Sequence, residues 1–219
     1  MSSPTATHVC MVLDRSGSMQ AAHADALGSV NTYIETAKKD EALQNSWLSL
    51  VTFNSHSVQV IRKDLHMSEV KPVLAEEYRC DGWTPLFDAI GRGIGVLDEA
   101  LGNTPQGRAI LVVMTDGMEN ASKEFSHDRI KALIDARKER GWLVTFLGEG
   151  LDVAQQGVNV GVAQAAVASY VGAAGLRAAG RVLASSHARF FATIGDMAQA
   201  QDAAALTPEE RDALAGKKD

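Results

Sequence analysis

Five consecutive apolar residues, Val9-Cys10-Met11-Val12-Leu13, run without a break into Asp14-Arg15-Ser16-Gly17-Ser18. A short uninterrupted apolar run with β-branched members reads as a strand buried on both faces, and such strands belong to parallel sheets covered by helices on each side. Asp14 then falls at the carboxyl end of the strand, the edge of an open α/β sheet outside which ligands bind. The residues from Asp14 to Ser18 offer one carboxylate, two hydroxyls and a glycine that permits a tight turn. Such hard oxygen donors suit Mg²⁺, Ca²⁺ or Mn²⁺ and suit Zn²⁺ or copper poorly. The plain alternative is that Ser18 caps a helix beginning near Met19 while Asp14 closes a turn, and the rest of the chain has to decide between the two.

The remaining pattern alternates strands with helices. Ala22, Ala26, Val30, Tyr33, Ile34 and Ala37 recur at helical spacing as far as Lys38-Lys39. Residues 47–53 read as a strand, residues 54–57 as a polar turn and residues 58–61 as a second short strand. Four residues are too few for a crossover helix, so this pair is an antiparallel hairpin at the sheet edge. Residues 64–79, interrupted by Pro72, read as a short helix and a loop. Thr84 stands where a helix N-cap belongs, before Pro85 and the apolar series Leu86, Ile90, Ile94, Leu97 and Leu101. Gly91, Gly93 and Gly95 inside that helix cost it about 1 kcal/mol each relative to alanine, which close packing on the sheet would offset. They neither follow a strand nor open a helix, so they are not a dinucleotide-binding fingerprint.

Residues 108–114 form the most continuous apolar strand, and it ends in Thr115-Asp116-Gly117, a second carboxylate at a carboxyl end. Ser126 is placed to cap the next helix, with Ile130, Leu133 and Ile134 facing inward and Gly141 as its stop. Residues 142–147 are the following strand, residues 148–152 a loop containing Glu149 and Asp152, and residues 166–171 a final strand. A single long helix is expected to carry Leu176, Ala179, Leu183, Ser186, Phe190, Ile194 and Met197 on one stripe. Thr207-Pro208-Glu209-Glu210 opens a last short helix as a capping box, with residues 216–219 as its frayed end. The fold class that follows is α/β and Rossmann-like: a doubly wound, mostly parallel six-stranded sheet with one antiparallel edge strand and helices on both faces. Residues 1–206 are read as one domain and residues 207–219 as a short C-terminal helix and tail.

Composition narrows the function. A chain of 219 residues with 46% hydrophobic content supports one well-buried core. Its 21 basic and 27 acidic residues give a net charge of −6, and no basic run exceeds two residues, so nucleic acid is not an expected partner. Residues 1–7 lack the basic and apolar blocks of a secretory signal, and no apolar window is long enough to span a membrane; a soluble cytoplasmic protein is expected. Two cysteines, Cys10 and Cys80, imply no disulfide framework, and the histidines at 8, 23, 56, 66, 127 and 187 show no metal-ligand spacing.

Asp14-Arg15-Ser16-Gly17-Ser18, a distant Thr84 and a distant Asp116 together resemble the von Willebrand factor A domain and its metal-ion-dependent adhesion site. That site's pattern is Asp-x-Ser-x-Ser followed by a threonine and an aspartate, and all five stand here in order. The flanks Thr84-Pro85-Leu86-Phe87-Asp88-Ala89 and Thr115-Asp116-Gly117 resemble the intracellular bacterial and phage members, over roughly residues 8–199.

The resemblance implies a metal set of Asp14, Ser16, Ser18, Thr84 and Asp116. In it Ser16, Ser18 and Thr84 supply neutral oxygens, Asp14 and Asp116 act largely through water, and Thr84 shifts between direct and water-mediated ligation. The implied cation is Mg²⁺, with Mn²⁺ or Ca²⁺ able to substitute. The implied partner is a protein that contributes an Asp or Glu carboxylate. Glu149 and Asp152 read as solvated loop acids. The expected function is therefore a metal-dependent protein-binding module and not an enzyme. Two rivals stand beside it: a Mg²⁺-dependent phosphohydrolase or nucleotide-handling enzyme, and a scaffold with a vestigial site. Against the enzyme, the chain has no Gly-x-x-x-x-Gly-Lys-Ser/Thr loop, and Ser16 stands where an aspartate-nucleophile phosphatase would carry its second carboxylate.

Overall fold

The computed structural model describes residues 7–102, 108–194 and 196–217. Among them the apolar runs form β1 (Thr7–Asp14), β2 (Trp47–Asn54), β3 (Ser57–His66), β4 (Arg108–Thr115), β5 (Leu143–Glu149) and β6 (Val167–Tyr170). One six-stranded sheet results, in the order β3-β2-β1-β4-β5-β6. All pairings are parallel except β2 with β3, so the hairpin is the antiparallel edge. The central strands are buried on both faces because they have no polar side: in β1 every residue from Val9 to Asp14 is buried, and in β4 every residue from Ala109 to Thr115.

The helices are α1 (His23–Ala37), α2 (Leu86–Leu101), α3 (His127–Glu139), α4 (Gly150–Asn159), α5 (Gly172–Ala192), α6 (Met197–Ala203) and α7 (Pro208–Leu214). They cover both faces: α2 lies on β1, β2 and β4, while α1 packs along α5. Two glycines of α2 are needed for its close approach. A Cβ on Gly93 would come within 2.7 Å of the Val12 side chain, and one on Gly91 within 2.6 Å of the Phe125 ring. Gly95 meets nothing within 4 Å, so its helix-weakening effect has no such compensation.

Several sequence expectations need correction. The second hairpin strand is ten residues long rather than four. Its Arg62-Lys63-Asp64 segment lacks an apolar alternation because the strand is an edge, half-exposed along its length. The expected loop at residues 148–152 is instead the end of β5 and the first turn of α4. The expected single long helix stops at Ala192, where Arg108 donates to the main-chain oxygens of Phe191 at 3.0 Å and Thr193 at 2.9 Å and also bonds that of Phe190. Ile194, expected on the buried stripe, is 96% exposed beyond that end, and Met197 opens α6. Ser126 caps α3 by accepting from the Arg129 amide at 3.3 Å; Ile130 and Ile134 are buried and Leu133 is half-buried.

The capping box of α7 forms as read, with Thr207 and Glu210 exchanging bonds. The helix is tied to the sheet's far edge: Leu214 is fully buried, its carbonyl accepts from the Val171 amide at 2.9 Å, and Arg211 donates to the carbonyls of Val167 and Ala165 at 3.0 Å each. Gly216 and Lys217 bond back to it through their amides, to the carbonyls of Ala213 and Asp212. Residues 218 and 219, read as part of a frayed end, and residues 1–6 of the amino-terminal reading lie outside the described residues.

Candidate metal centre

Parallel pairing of β1 with β4 brings their carboxyl ends side by side, with Leu13 opposite Met114. Asp14 therefore meets the Thr115-Asp116-Gly117 turn, although 101 residues separate Asp14 from Thr115. Asp14 is fully buried. Its Oδ1 accepts from the Ser16 amide at 2.7 Å and its Oδ2 from the Thr115 hydroxyl at 2.5 Å, so the carboxylate is fixed at both oxygens. Ser18 bridges the two loops: its Oγ lies 3.1 Å from Ser16 Oγ and donates to Asp116 Oδ1 at 2.6 Å.

Thr84 completes the group from the α2 side. Its side chain is buried, and its hydroxyl stands so close to the β4 turn that a Cβ on Gly117 would lie 3.0 Å from Thr84 Oγ1. Thr84 does not cap α2 with its side chain as its position suggested. Pro85 precedes the helix, and Thr84 is held through its backbone, its amide donating to Asn120 Oδ1 at 2.8 Å and its carbonyl accepting from the Asn120 amide at 3.1 Å. The Gly17 amide bonds the Gly82 carbonyl at 2.9 Å, which joins the first loop to the segment leading into Thr84. Ser18 caps no helix either: residues 17–20 are a 3₁₀ turn without a side-chain cap. Hydrogen bonds thus link Ser16 to Asp14 and, through Ser18, to Asp116, and Thr84 stands against the neighbouring Gly117 turn.

Electrostatics at this point favour a cation. Burial pushes the Asp14 carboxyl up to about 6 despite the bonds from Thr115 and Ser16, and the charge of Asp116 adds to the rise. Burial also raises Asp116 above the ordinary range, against the bond from Ser18. Two carboxylates raised chiefly by burial, backed by three hydroxyls, form a donor set made only of oxygen. Among the described residues no group of three or more His, Cys, Asp and Glu side chains stands together, and the five residues here include no histidine or cysteine, the nitrogen and sulfur donors that zinc prefers. The donor set fits a hard divalent cation.

No protein-family model matches the sequence, and no curated protein does either. Solved structures do match by shape. The vWF domain of the type V pili tip protein Mfa5 from Porphyromonas gingivalis superposes with a TM-score of 0.64 at 12% identity, over 89% of this chain and 99% of that one. The fold is of the von Willebrand factor A type. The pilus adhesin SpaC from Lactobacillus rhamnosus GG also superposes, with a TM-score of 0.68 at 13% identity over 85% of this chain. This chain spans about a third of SpaC, 31% of its length.

The A-type framework carries supports that sequence reading missed. Tyr78 and Tyr170, both buried, donate to the main-chain oxygens of Asp14 and Thr115, the latter at 3.3 Å, and so brace the ends of β1 and β4 from either side. Glu119 accepts from the amides of Phe87, Ala121 and Ser122 at 2.8–2.9 Å and from the Ser122 hydroxyl at 2.7 Å, which fastens the start of α2 to the loop after β4. Gln156 of α4 clamps that loop, accepting from the Glu119 amide at 2.8 Å and donating to the Gly117 carbonyl at 3.1 Å. The polar loop following the Asp116 turn is a sequence signal for Glu119 alone; Tyr78, Tyr170 and Gln156 lie far from it in the chain. Glu149 and Asp152, read as loop acids, sit at the end of β5 and in the first turn of α4, half-buried and exposed respectively. Trp83, just ahead of Thr84, is 68% exposed at the rim.

Proposed function

We propose that this domain is a metal-dependent protein-binding module in which Asp14, Ser16, Ser18, Thr84 and Asp116 hold one divalent cation, Mg²⁺ in cells and Mn²⁺ or Ca²⁺ as substitutes. The observation that carries the reading is Ser18, whose hydroxyl joins Ser16 to Asp116 and so gathers the oxygens of two loops at one point. When bound, the cation would supply an electrophilic position for an Asp or Glu carboxylate of a partner protein. The chain's own residues do the rest. Thr115 and the Ser16 amide hold Asp14 rigid, and Asn120 and Glu119 fix the backbone around Thr84, so the oxygen group is organised before any ligand arrives.

The reading assigns no catalytic step. Both oxygens of Asp14 are already committed to hydrogen bonds within the chain, which disfavours a nucleophilic role for it. Cytoplasmic residence is part of the reading and is supported by Cys10 and Cys80 both being free thiols. Among the described residues no helix is long and apolar enough to cross a membrane.

Calorimetric titration of the protein with Mg²⁺, Mn²⁺, Ca²⁺ and Zn²⁺ tests the metal. Saturable binding of the first three, weakened in Ser18→Ala, is expected. Tight Zn²⁺ binding with none of the others would sink it.

A further inference from the structure

Arg15 lies between two members of the oxygen cluster, but its guanidinium belongs to a separate place. The residue is only 9% exposed. A guanidinium so far out of water ordinarily faces a carboxylate. Among the described residues, no ion pair includes Arg15. Its bonds run to neutral groups: Nη1 to the Arg79 carbonyl at 3.3 Å, and Nη2 to Ser57 Oγ at 2.6 Å and the Ser57 carbonyl at 3.5 Å. Its Nε is buried with no acceptor.

Arg108, half-buried and likewise without an ion pair among the described residues, offers a contrast. Its fork, however, covers the carbonyl end of α5 and lies 4.5 Å from the centre of the Phe190 ring, so a helix's negative end and an aromatic face supply what a carboxylate would. Arg15 has neither. It borders instead a polar cleft of about 320 Å³, which also takes in Arg79 and His56. That volume is near the lower limit of small-ligand sites, roughly 300 Å³. Of the cleft's acids, Glu77 is engaged by Arg62 at 2.7 and 3.0 Å, while Asp81 accepts from the Gly82 amide at 2.7 Å and faces His56, itself a cleft residue, at 3.4 Å. Glu76 is exposed.

We infer that this cleft is a binding site for a compact oxyanion, a carboxylate or phosphate group, taken by the Arg15 guanidinium with Arg79 at its rim. The planar fork of an arginine matches such oxygens and an ammonium does not, which accounts for an arginine at this position rather than a lysine. The site lies on the β2–β3 side of the oxygen cluster and needs no metal to form.

The test follows the ³¹P line width of inorganic phosphate against the protein at constant ionic strength with a chelator present, and repeats the titration with acetate, read by the protein's melting temperature. Saturable phosphate binding is expected, at least tenfold weaker in Arg15→Gln. Binding of acetate as well assigns a carboxylate source, and phosphate alone a phosphoryl source. Should Arg15→Gln fail to fold, Arg15→Lys keeps the charge without the fork and is expected to bind severalfold more weakly than wild type. Equal affinity in the folded variant, or no saturable binding of either anion by wild type, overturns the inference. Because the chelator excludes divalent cations, this outcome is independent of the metal titration.

Discussion

Thr115 on β4 holds the carboxylate of Asp14 on β1 through a single 2.5 Å hydrogen bond between buried groups. The bond couples two adjacent strands at the point where both deliver functional oxygens. Thr115→Val keeps the shape and removes the hydroxyl, leaving Asp14 Oδ2 buried without its donor. A loss of about 1–3 kcal/mol is expected, together with weaker Mg²⁺ retention. Chemical denaturation with and without Mg²⁺ measures both, and an unchanged midpoint would show that Asp14 does not depend on this partner.

Asp116→Ala separates folding from binding. β4 is buried by apolar contact all along its length, so the sheet survives the change. With one site carboxylate gone, an incoming partner carboxylate would meet Asp14 as a like charge. A cation at ten times its dissociation constant stabilises by only about 1.4 kcal/mol, so the variant stays folded and loses the Mg²⁺-induced rise in melting temperature. Retention of that rise would mean that Asp116 takes no part in holding the cation.

Trp83 tests the rim. At 68% exposure it contributes little to the core, and Trp83→Ala should shift stability by less than about 0.5 kcal/mol. An exposed tryptophan beside a recruiting site is a natural interface anchor, so the same variant is expected to lose Mg²⁺-dependent partner binding. A drop of several degrees in melting temperature would instead place the ring in the core.

His187 gives a pH signature far from the site. It is fully buried on α5, its Nδ1 lies 3.0 Å from the Tyr33 hydroxyl on α1, and its Nε2 has no partner. Burial, with Arg189 nearby, lowers its pKa from 6.5 to about 3. The unfolded chain therefore takes up a proton that the folded chain refuses, and stability falls as pH drops from about 6.5 toward 3, by about 1.4 kcal/mol per unit from this group. Urea midpoints across that window should flatten in His187→Asn; an acid slope equal to wild type would exclude His187 as its source.

Much of this was legible in the chain because the decisive strands are extreme. Val9 to Leu13 and Ile110 to Met114 have no polar side, so their burial and the placing of Asp14 and Asp116 follow from local pattern. Thr84 was legible as a position but not in its manner of attachment, which depends on Asn120, 36 residues away. The start of α4 was hidden because Gly148-Glu149-Gly150 reads as a turn, and with it went Gln156. Tyr78, Tyr170 and Glu119 brace the site through contacts that only the folded chain creates, and no spacing in the sequence announces them.

The sheet's two borders are guarded in different ways. At one, β3 protects itself with Arg62-Lys63-Asp64 and with a positive φ of 48° at Asp64, charge and irregularity that discourage a foreign strand from pairing there. At the other, the four-residue β6 has no such charges, and the docking of α7 takes their place, with Arg211 bonding the Val167 and Ala165 carbonyls. The last helix thus covers carbonyls at the start of that border. A chain cut before Thr207 would lose those bonds at β6 and offer its backbone as a template for aggregation, even with every oxygen of the cluster in place.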